Sequence, residues 1–291
     1  MLINSRINQN RLINYFIATT VGLIFGFSTC FAQKEVLYKK VDSSKLFMEV
    51  LFPDTVNRLR NYPAIVFFHG GGWQGGTKDQ FYNQAQYFSK RGLVCFLVDY
   101  RTENKNHTTP FESLKDAKSS IRFIRKNAHD FYVDPTKIIA SGGSAGGQLA
   151  AATALINDYN EASDDLSISC KPNALILFNP VIDNGPGGYG YERIGDKYKN
   201  FSPLHNITKG APPTIIFLGT NDVLIPVETV QYYKKVMEKV KSTCVLKLYD
   251  GQGHGFFNYS HFDNYKSTLF ESDIFLQSLG YLNKEPVIEI R

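Results

Sequence analysis

Residues 142–146 read Gly-Gly-Ser-Ala-Gly, a G-x-S-x-G pattern centred on Ser144. A serine held between two glycine positions at a tight turn exposes its hydroxyl, and at a helix N-terminus a developing negative charge is favoured. A hydroxyl attacks only when a base takes its proton. Of the six histidines, His69 and His254 fall at the ends of apolar runs. His107, His129, His205 and His261 sit in polar contexts and read as surface or hydrogen-bonded side chains. His254, in "YDGQGHGFFN", is the candidate base. An acid must orient that base, and Asp222, four residues past Leu218 in "TIIFLGTNDVLIP", is the first choice. Asp183 in "FNPVIDNG" is the second, and Asp250 stands too near His254 in sequence to be chosen.

The stretch "AIVFFHGGGWQGG" at residues 64–76 spends five of its last seven residues on glycine. Ester cleavage creates an oxyanion that needs backbone N–H donors about 3 Å away, approached without obstruction by side chains. Gly71 and Gly72, with Ala145 after the serine, are therefore the candidate oxyanion donors. His69 is read as a brace of this loop, and Gly75 and Gly76 as shaping its turn. Trp73 and Phe256 either line the substrate site or pack beneath it.

These residues need a scaffold that brings distant positions together. Short apolar runs at 64–68, 93–98, 137–141, 174–178, 214–218 and 244–249 read as buried strands. "EVLYKK" and "KLFMEVLFP" form an opening strand pair joined at "VDSS". Leu114, Ala117, Ile121, Ile124 and Ala128 recur at helical spacing, as do Val230, Tyr233, Met237 and Val240, and "YKSTLFESDIFLQSL" closes the chain with a further helix. Strands alternating with helices predict a mostly parallel sheet covered on both faces, with ligands at the carboxyl ends of the strands. Ser144, Asp222, His254 and the glycine run all stand at such ends.

The chain has 291 residues, 43% apolar and 20% charged, with a net charge of +5. Without residues 1–32 that charge is +3, spread without a basic cluster, which excludes nucleic acid as an expected partner. Residues 1–32 have the layout of a secretory signal peptide: a polar basic start, the 13-residue apolar run "YFIATTVGLIFGF", and small residues before a cut near Ala32. The alternatives are a retained membrane anchor, the one route to a membrane partner, or a lipoprotein acylated at Cys30. An exported, periplasmic or secreted, enzyme is expected. Residues 33–291 form one domain in this reading. Cys95 reads as a core residue, Cys170 and Cys244 are left open as a pair, and no spacing resembles a metal site.

Taken together, "HGGGW", "VDYR", "GGSAGGQLA", "GTND" with "LIP", and "GHGFF" resemble the α/β-hydrolase esterases of the hormone-sensitive-lipase and acetyl-esterase kind, more narrowly the exported bacterial carbohydrate-esterase-like branch. The order Ser144, Asp222, His254 is the triad order of α/β-hydrolases. The resemblance spans roughly residues 45–282 and implies an eight-stranded, mainly parallel sheet and a serine esterase without metal or organic cofactor. Two features depart from the family: the stretch before His69 reads as strands rather than a helical cap, and Gly143 precedes the nucleophile where aspartate is frequent. Residues 181–212, with four aromatics and no apolar period, are the lid-like insertion and an expected aromatic wall. Arg101 in "VDYR" is read as an ion-pair partner of Asp116.

The function expected is hydrolysis of short-acyl, above all acetyl, esters on carbohydrates or related small alcohols through an acyl-enzyme. The competing readings are a prolyl-oligopeptidase-type peptidase, a lipase of the same fold, and a catalytically inactive binding module.

Overall fold

A computed structural model describes residues 34–284, so the leader expected over 1–32 lies outside the described residues. The chain opens with a hairpin, β1 (Lys34–Val41) and β2 (Ser44–Leu51), turning at Asp42, whose φ is 48°. There follow β3 (Tyr62–Phe68), α1 (Tyr82–Lys90), β4 (Val94–Val98), a single turn α2 (Glu103–Asn106), α3 (Pro110–Lys126), β5 (Val133–Gly143) and α4 (Ala145–Leu155). Beyond them lie β6 (Ala174–Phe178), the short helices α5 (Tyr191–Ile194) and α6 (Tyr198–Phe201), β7 (Thr214–Gly219), α7 (Val227–Lys239), β8 (Cys244–Tyr249) and α8 (Phe262–Ser278).

The eight strands form one sheet in the order β1-β2-β4-β3-β5-β6-β7-β8. β1 and β2 pair antiparallel, β2 meets β4 antiparallel, and every pair from β4 to β8 is parallel. The chain therefore has the expected α/β-hydrolase architecture. Side chains alternate across the sheet: Ala64, Val66 and Phe68 of β3 face a core covered by α3, α4 and α7. Ile65 and Phe67 face the opposite core under α1 and α8. Burial of such aliphatic and aromatic side chains contributes about 1.5–3 kcal/mol each, which explains why the central strands carry apolar residues on both faces.

Local chemistry sets the helix starts. Thr109 and Glu112 form a capping box at the start of α3, with Pro110 at its first position. The helical stripe read through Ala128 stops earlier, because α3 ends at Lys126. Helix α4 is buried on every side and correspondingly apolar all round. The opening hairpin is fastened by buried charges. Asp116, fully buried on α3, accepts from Arg101 Nε and Nη2 at 2.8 Å each and from Lys39 Nζ of β1 at 2.6 Å. Arg101 is thus the ion-pair partner expected. Cys95, Cys170 and Cys244 are all free thiols, which closes the disulfide left open for Cys170 and Cys244.

Residues 181–212 are more structured than their lack of apolar period implies. They carry α5 and α6, and two single 3-10 turns, at Gly195–Lys197 and Pro203–Asn206. Polar bonds hold the segment together, among them Ser202 Oγ accepting from Asn184 N at 2.9 Å.

Candidate active site

Ser144 stands between β5 and α4 with φ 55° and ψ −120°. A non-glycine residue in that region costs about 1–3 kcal/mol and persists only where neighbours hold it. Here its N–H donates to Phe178 O at 3.0 Å, and its carbonyl accepts from Gln148 N and Val181 N at 3.1 Å each. The turn is thereby tied to the end of β6. A side chain at Gly146 would overlap the carbonyl of Phe68, so the glycines of the motif let the turn press against β3. At Gly143 a Cβ would lie 2.5 Å from the ring of Phe257, which stacks on Phe178 and Phe81. The aromatic ring fills the space that a larger residue before the nucleophile would need.

His254 follows β8, and its Nδ1 lies 2.8 Å from Asp222 Oδ2. Asp222 has a fully buried side chain, and its Oδ1 accepts from the N–H groups of Leu224 and Ile225 at 2.9 and 3.0 Å. Both carboxylate oxygens are therefore committed, and one of them is aimed at the ring. The alternative acid, Asp183, instead accepts from Gly185 N and faces His205 Nδ1 at 3.8 Å. The other imidazole nitrogen of His254, Nε2, lies 3.2 Å from Asn179 Nδ2. Asn179 directly follows Phe178, so the end of β6 lies between the serine turn and the histidine loop.

The glycine loop flanks the serine: a Cβ on Gly70 would stand 3.5 Å from Ser144 Cβ. Gly70 N donates to Gln80 Oε1 at 2.6 Å, and Gly71 O accepts from Gln74 N and Gly75 N. Among the described residues, the N–H groups of Gly71, Gly72 and Ala145 donate to no partner, leaving three amides in this region open to an anion. His69 accounts for the loop's rigidity. Its Nδ1 bonds Gly70 O at 2.7 Å, its ring stacks on Tyr100 at 4.2 Å, and Tyr100 Oη donates to His69 O. Burial holds its imidazole below the ordinary histidine range, so the ring is neutral near pH 7.

Of the two readings left open for Trp73 and Phe256, the structure favours packing over lining the substrate site. Trp73 is 1% exposed, packed on Tyr189 and Phe201, with Nε1 donating to Gln148 Oε1 at 3.3 Å. It supports the loop from below. Phe256 is 2% exposed and packs tilted against Tyr249, with ring centroids 4.8 Å apart, in the core under α8. Both rings are packed in the interior. The aromatic wall is likewise narrower than expected: Phe201 is buried, while Tyr189 stands with its hydroxyl over Gly72. Two neighbours of these residues carry no sequence signal, Asn179 and Arg193. The Arg193 guanidinium lies over the rings of Trp73 and Tyr189 at 5.3 and 5.4 Å, and Nη1 donates to Gly72 O.

A mostly parallel sheet with a strained serine after β5, an aspartate–histidine pair after β7 and β8, and open amides after β3 defines an α/β-hydrolase. The chain belongs to the family of serine carboxylic-ester hydrolases that includes esterase 2 of Thermogutta terrifontis. The apo form of that enzyme matches with 41% identity and a TM-score of 0.84, over 88% of this chain and 98% of the other. Residues 48–186 match the BD-FAE family and residues 176–272 the dienelactone hydrolase family. Acetylxylan esterase of Xylanibacter ruminicola is 27% identical over 66% of this chain and 41% of its own. Esterase LipC of Mycobacterium tuberculosis is 28% identical over 67% and 53%, respectively. The chain spans about half the length of the curated relatives it matches.

Proposed function

We propose that this protein is an exported esterase that removes short acyl groups, acetyl foremost, from carbohydrates or related small alcohols. The observations that carry the reading are the committed Asp222–His254 pair, 2.8 Å apart, a serine held in a strained turn between β5 and α4, and three amides without partners, two of them in the glycine loop that flanks that serine. In this mechanism Ser144 Oγ attacks the ester carbonyl and its proton passes to His254 Nε2. Asp222 stabilises the resulting imidazolium through Nδ1–H. The N–H groups of Gly71, Gly72 and Ala145 receive the oxyanion. His254 then protonates the leaving alcohol, and water cleaves the acyl-serine by the same steps in reverse.

The acyl preference is supported by the insertion being short, with no long helical cap among the described residues to build a tunnel. Esterase 2 of Thermogutta terrifontis has been solved with propionate and with butyrate bound, which agrees with short acyl groups. The carbohydrate alcohol is supported by the likeness to acetylxylan esterase. It is also supported by a cavity of about 230 Å³ between the insertion and the Asp222 loop, lined by Asp183, Tyr189 and Leu224 among others. The leader-like composition of residues 1–32 supports export.

The test is a kinetic series of p-nitrophenyl esters from two to eight carbons together with acetylated xylan. We expect kcat/KM to peak at two to four carbons and acetate to be released from xylan. A peak at eight carbons or beyond overturns the short-acyl reading in favour of a lipase, and failure of paraoxon to label Ser144 overturns the serine mechanism. Amino-terminal sequencing of the mature protein from its host tests the cut near Ala32.

A further inference from the structure

We propose that Asn179 is a positioning residue that holds His254 in the tautomer able to act as a base. This rests on the reading of His254 as the base for Ser144. Asn179 is fully buried at the end of β6, with a backbone φ of 33°, and its N–H donates to Phe217 O at 2.7 Å. Its Oδ1 accepts from Gly255 N at 3.3 Å. That N–H can only donate, so the orientation of the amide is fixed: the oxygen faces Gly255 and the NH₂ faces His254 Nε2 at 3.2 Å. An NH₂ partner requires a lone pair on Nε2. The ring proton must then sit on Nδ1, where Asp222 Oδ2 accepts it. Asn179 and Asp222 thus select the same tautomer from opposite edges of one imidazole.

A second consequence follows for charge. A doubly protonated ring would turn an Nε2–H toward the amide NH₂, with donor facing donor. Asn179 therefore favours the neutral ring between turnovers, and the ring leaves this contact when it takes the serine proton. The charged group bonded to the ring is Asp222. Asp250 at the end of β8 accepts from Thr220 Oγ1 instead, and Asp183 in the insertion accepts from Gly185 N.

The test uses Asn179→Asp and Asn179→Leu. A carboxylate at 179 accepts from Nε2–H and favours the doubly protonated ring. We expect the acid limb of the kcat/KM profile to move upward by about 1 pH unit or more in Asn179→Asp. On the acid limb itself, well below its midpoint, that is a loss of about tenfold. Asn179→Leu, which offers neither donor nor acceptor, should move the limb less. The independent readout is nitrogen-15 NMR of the His254 ring in the unmutated protein, expected to show a protonated Nδ1 and an unprotonated Nε2 near pH 7. A protonated Nε2 there overturns the proposal whatever the variants do, as does an acid limb unmoved in a folded Asn179→Asp. Retained activity in His254→Ala would instead overturn the underlying assignment of the base.

Discussion

Gly71 and Gly72 are neighbours in one loop, yet an alanine at each should act very differently. At Gly71 the φ of 118° lies outside what an alanine adopts without strain, and a Cβ would sit 2.7 Å from the carbonyl carbon of Gly75 and overlap its oxygen. These are backbone atoms, and Gly75 N itself donates to Gly71 O at 3.1 Å. The loop can admit the methyl only by opening, which carries the Gly71 and Gly72 amides away from the nucleophile. At Gly72 the φ of 64° is left-handed helical, which alanine enters at a cost of about 1–2 kcal/mol. Its Cβ is crowded by the hydroxyl of Tyr189, at 2.6 Å, the far end of a side chain, while Tyr189 Cζ and Arg193 Nη1 stand at ordinary contact distances of 3.6 and 3.7 Å. Loss of one oxyanion donor lowers kcat by ~10²–10³, and that is the fall expected for Gly71→Ala. Backbone strain of about 1–3 kcal/mol should also lower its melting temperature by about 3–10 °C. Gly72→Ala should lose no more than about tenfold in kcat, the rate equivalent of about 1.4 kcal/mol. Tyr189→Phe, which removes the obstructing oxygen, should restore most of that loss. The assay is saturation kinetics on p-nitrophenyl acetate with kcat and KM separated, alongside thermal melting of each variant. A folded Gly71→Ala with undiminished kcat, or a Gly72→Ala more damaged than Gly71→Ala, would refute the assignment of this loop.

Three further outcomes are expected. Asp222→Asn should lower kcat by about 10³–10⁴ because the ring loses its acceptor, whereas Asp183→Asn should change it by less than about threefold. The reverse order would move the acid to the insertion. Gly143→Asp should destabilise the protein by pressing on the Phe257 ring, and Phe257→Ala in the same chain should recover part of the melting temperature; no recovery would show that the ring is not the obstacle. The third concerns Lys118, a buried ammonium donating to the carbonyls of Ile156 and Asp158 and lowered by burial to about 8 from 10.5. The unfolded chain holds a proton that the folded chain releases between those values, so this position adds stability as pH rises from about 8 to 10.5. The melting difference between the protein and Lys118→Met should be flat below pH 8 and should favour the unmutated protein increasingly above it. A difference that stays flat through pH 10.5 would contradict this.

The sequence makes the sheet legible because buried parallel strands must be apolar on both faces, as "AIVFF", "ALILF" and "TIIFL" are. It is less informative where a segment is held by polar bonds: "YERI" and "YKNF" become helical turns inside the insertion without any apolar period. α1, short and rich in glutamine and asparagine, gives an equally faint signal. Ser144, Asp222 and His254 are singled out by the sequence because each lies within five residues of the end of a strand, and the fold aligns strand ends. Asn179 also ends a strand, but an asparagine there has no motif, and its partner is 75 positions away. Trp73 and Phe256 show the converse. Adjacency in sequence to a loop glycine or to the base does not decide whether a ring turns toward substrate or toward the core.

The guanidinium that reaches from the insertion to the carbonyl of Gly72 bears on how this scaffold can be re-engineered. Loops between strands of such a sheet are natural places to graft a new pocket, and the stretch after β6 is the obvious one to exchange. Replacing all of 183–206 would, however, also remove Tyr189 and Arg193, the side chains that cover and hold the glycine loop. A graft confined to 195–206 keeps that fastening and leaves Phe201 as the one large core ring to be replaced in kind. Exchange of the insertion is thus separable from the glycine loop on one side of Arg193 and inseparable from it on the other.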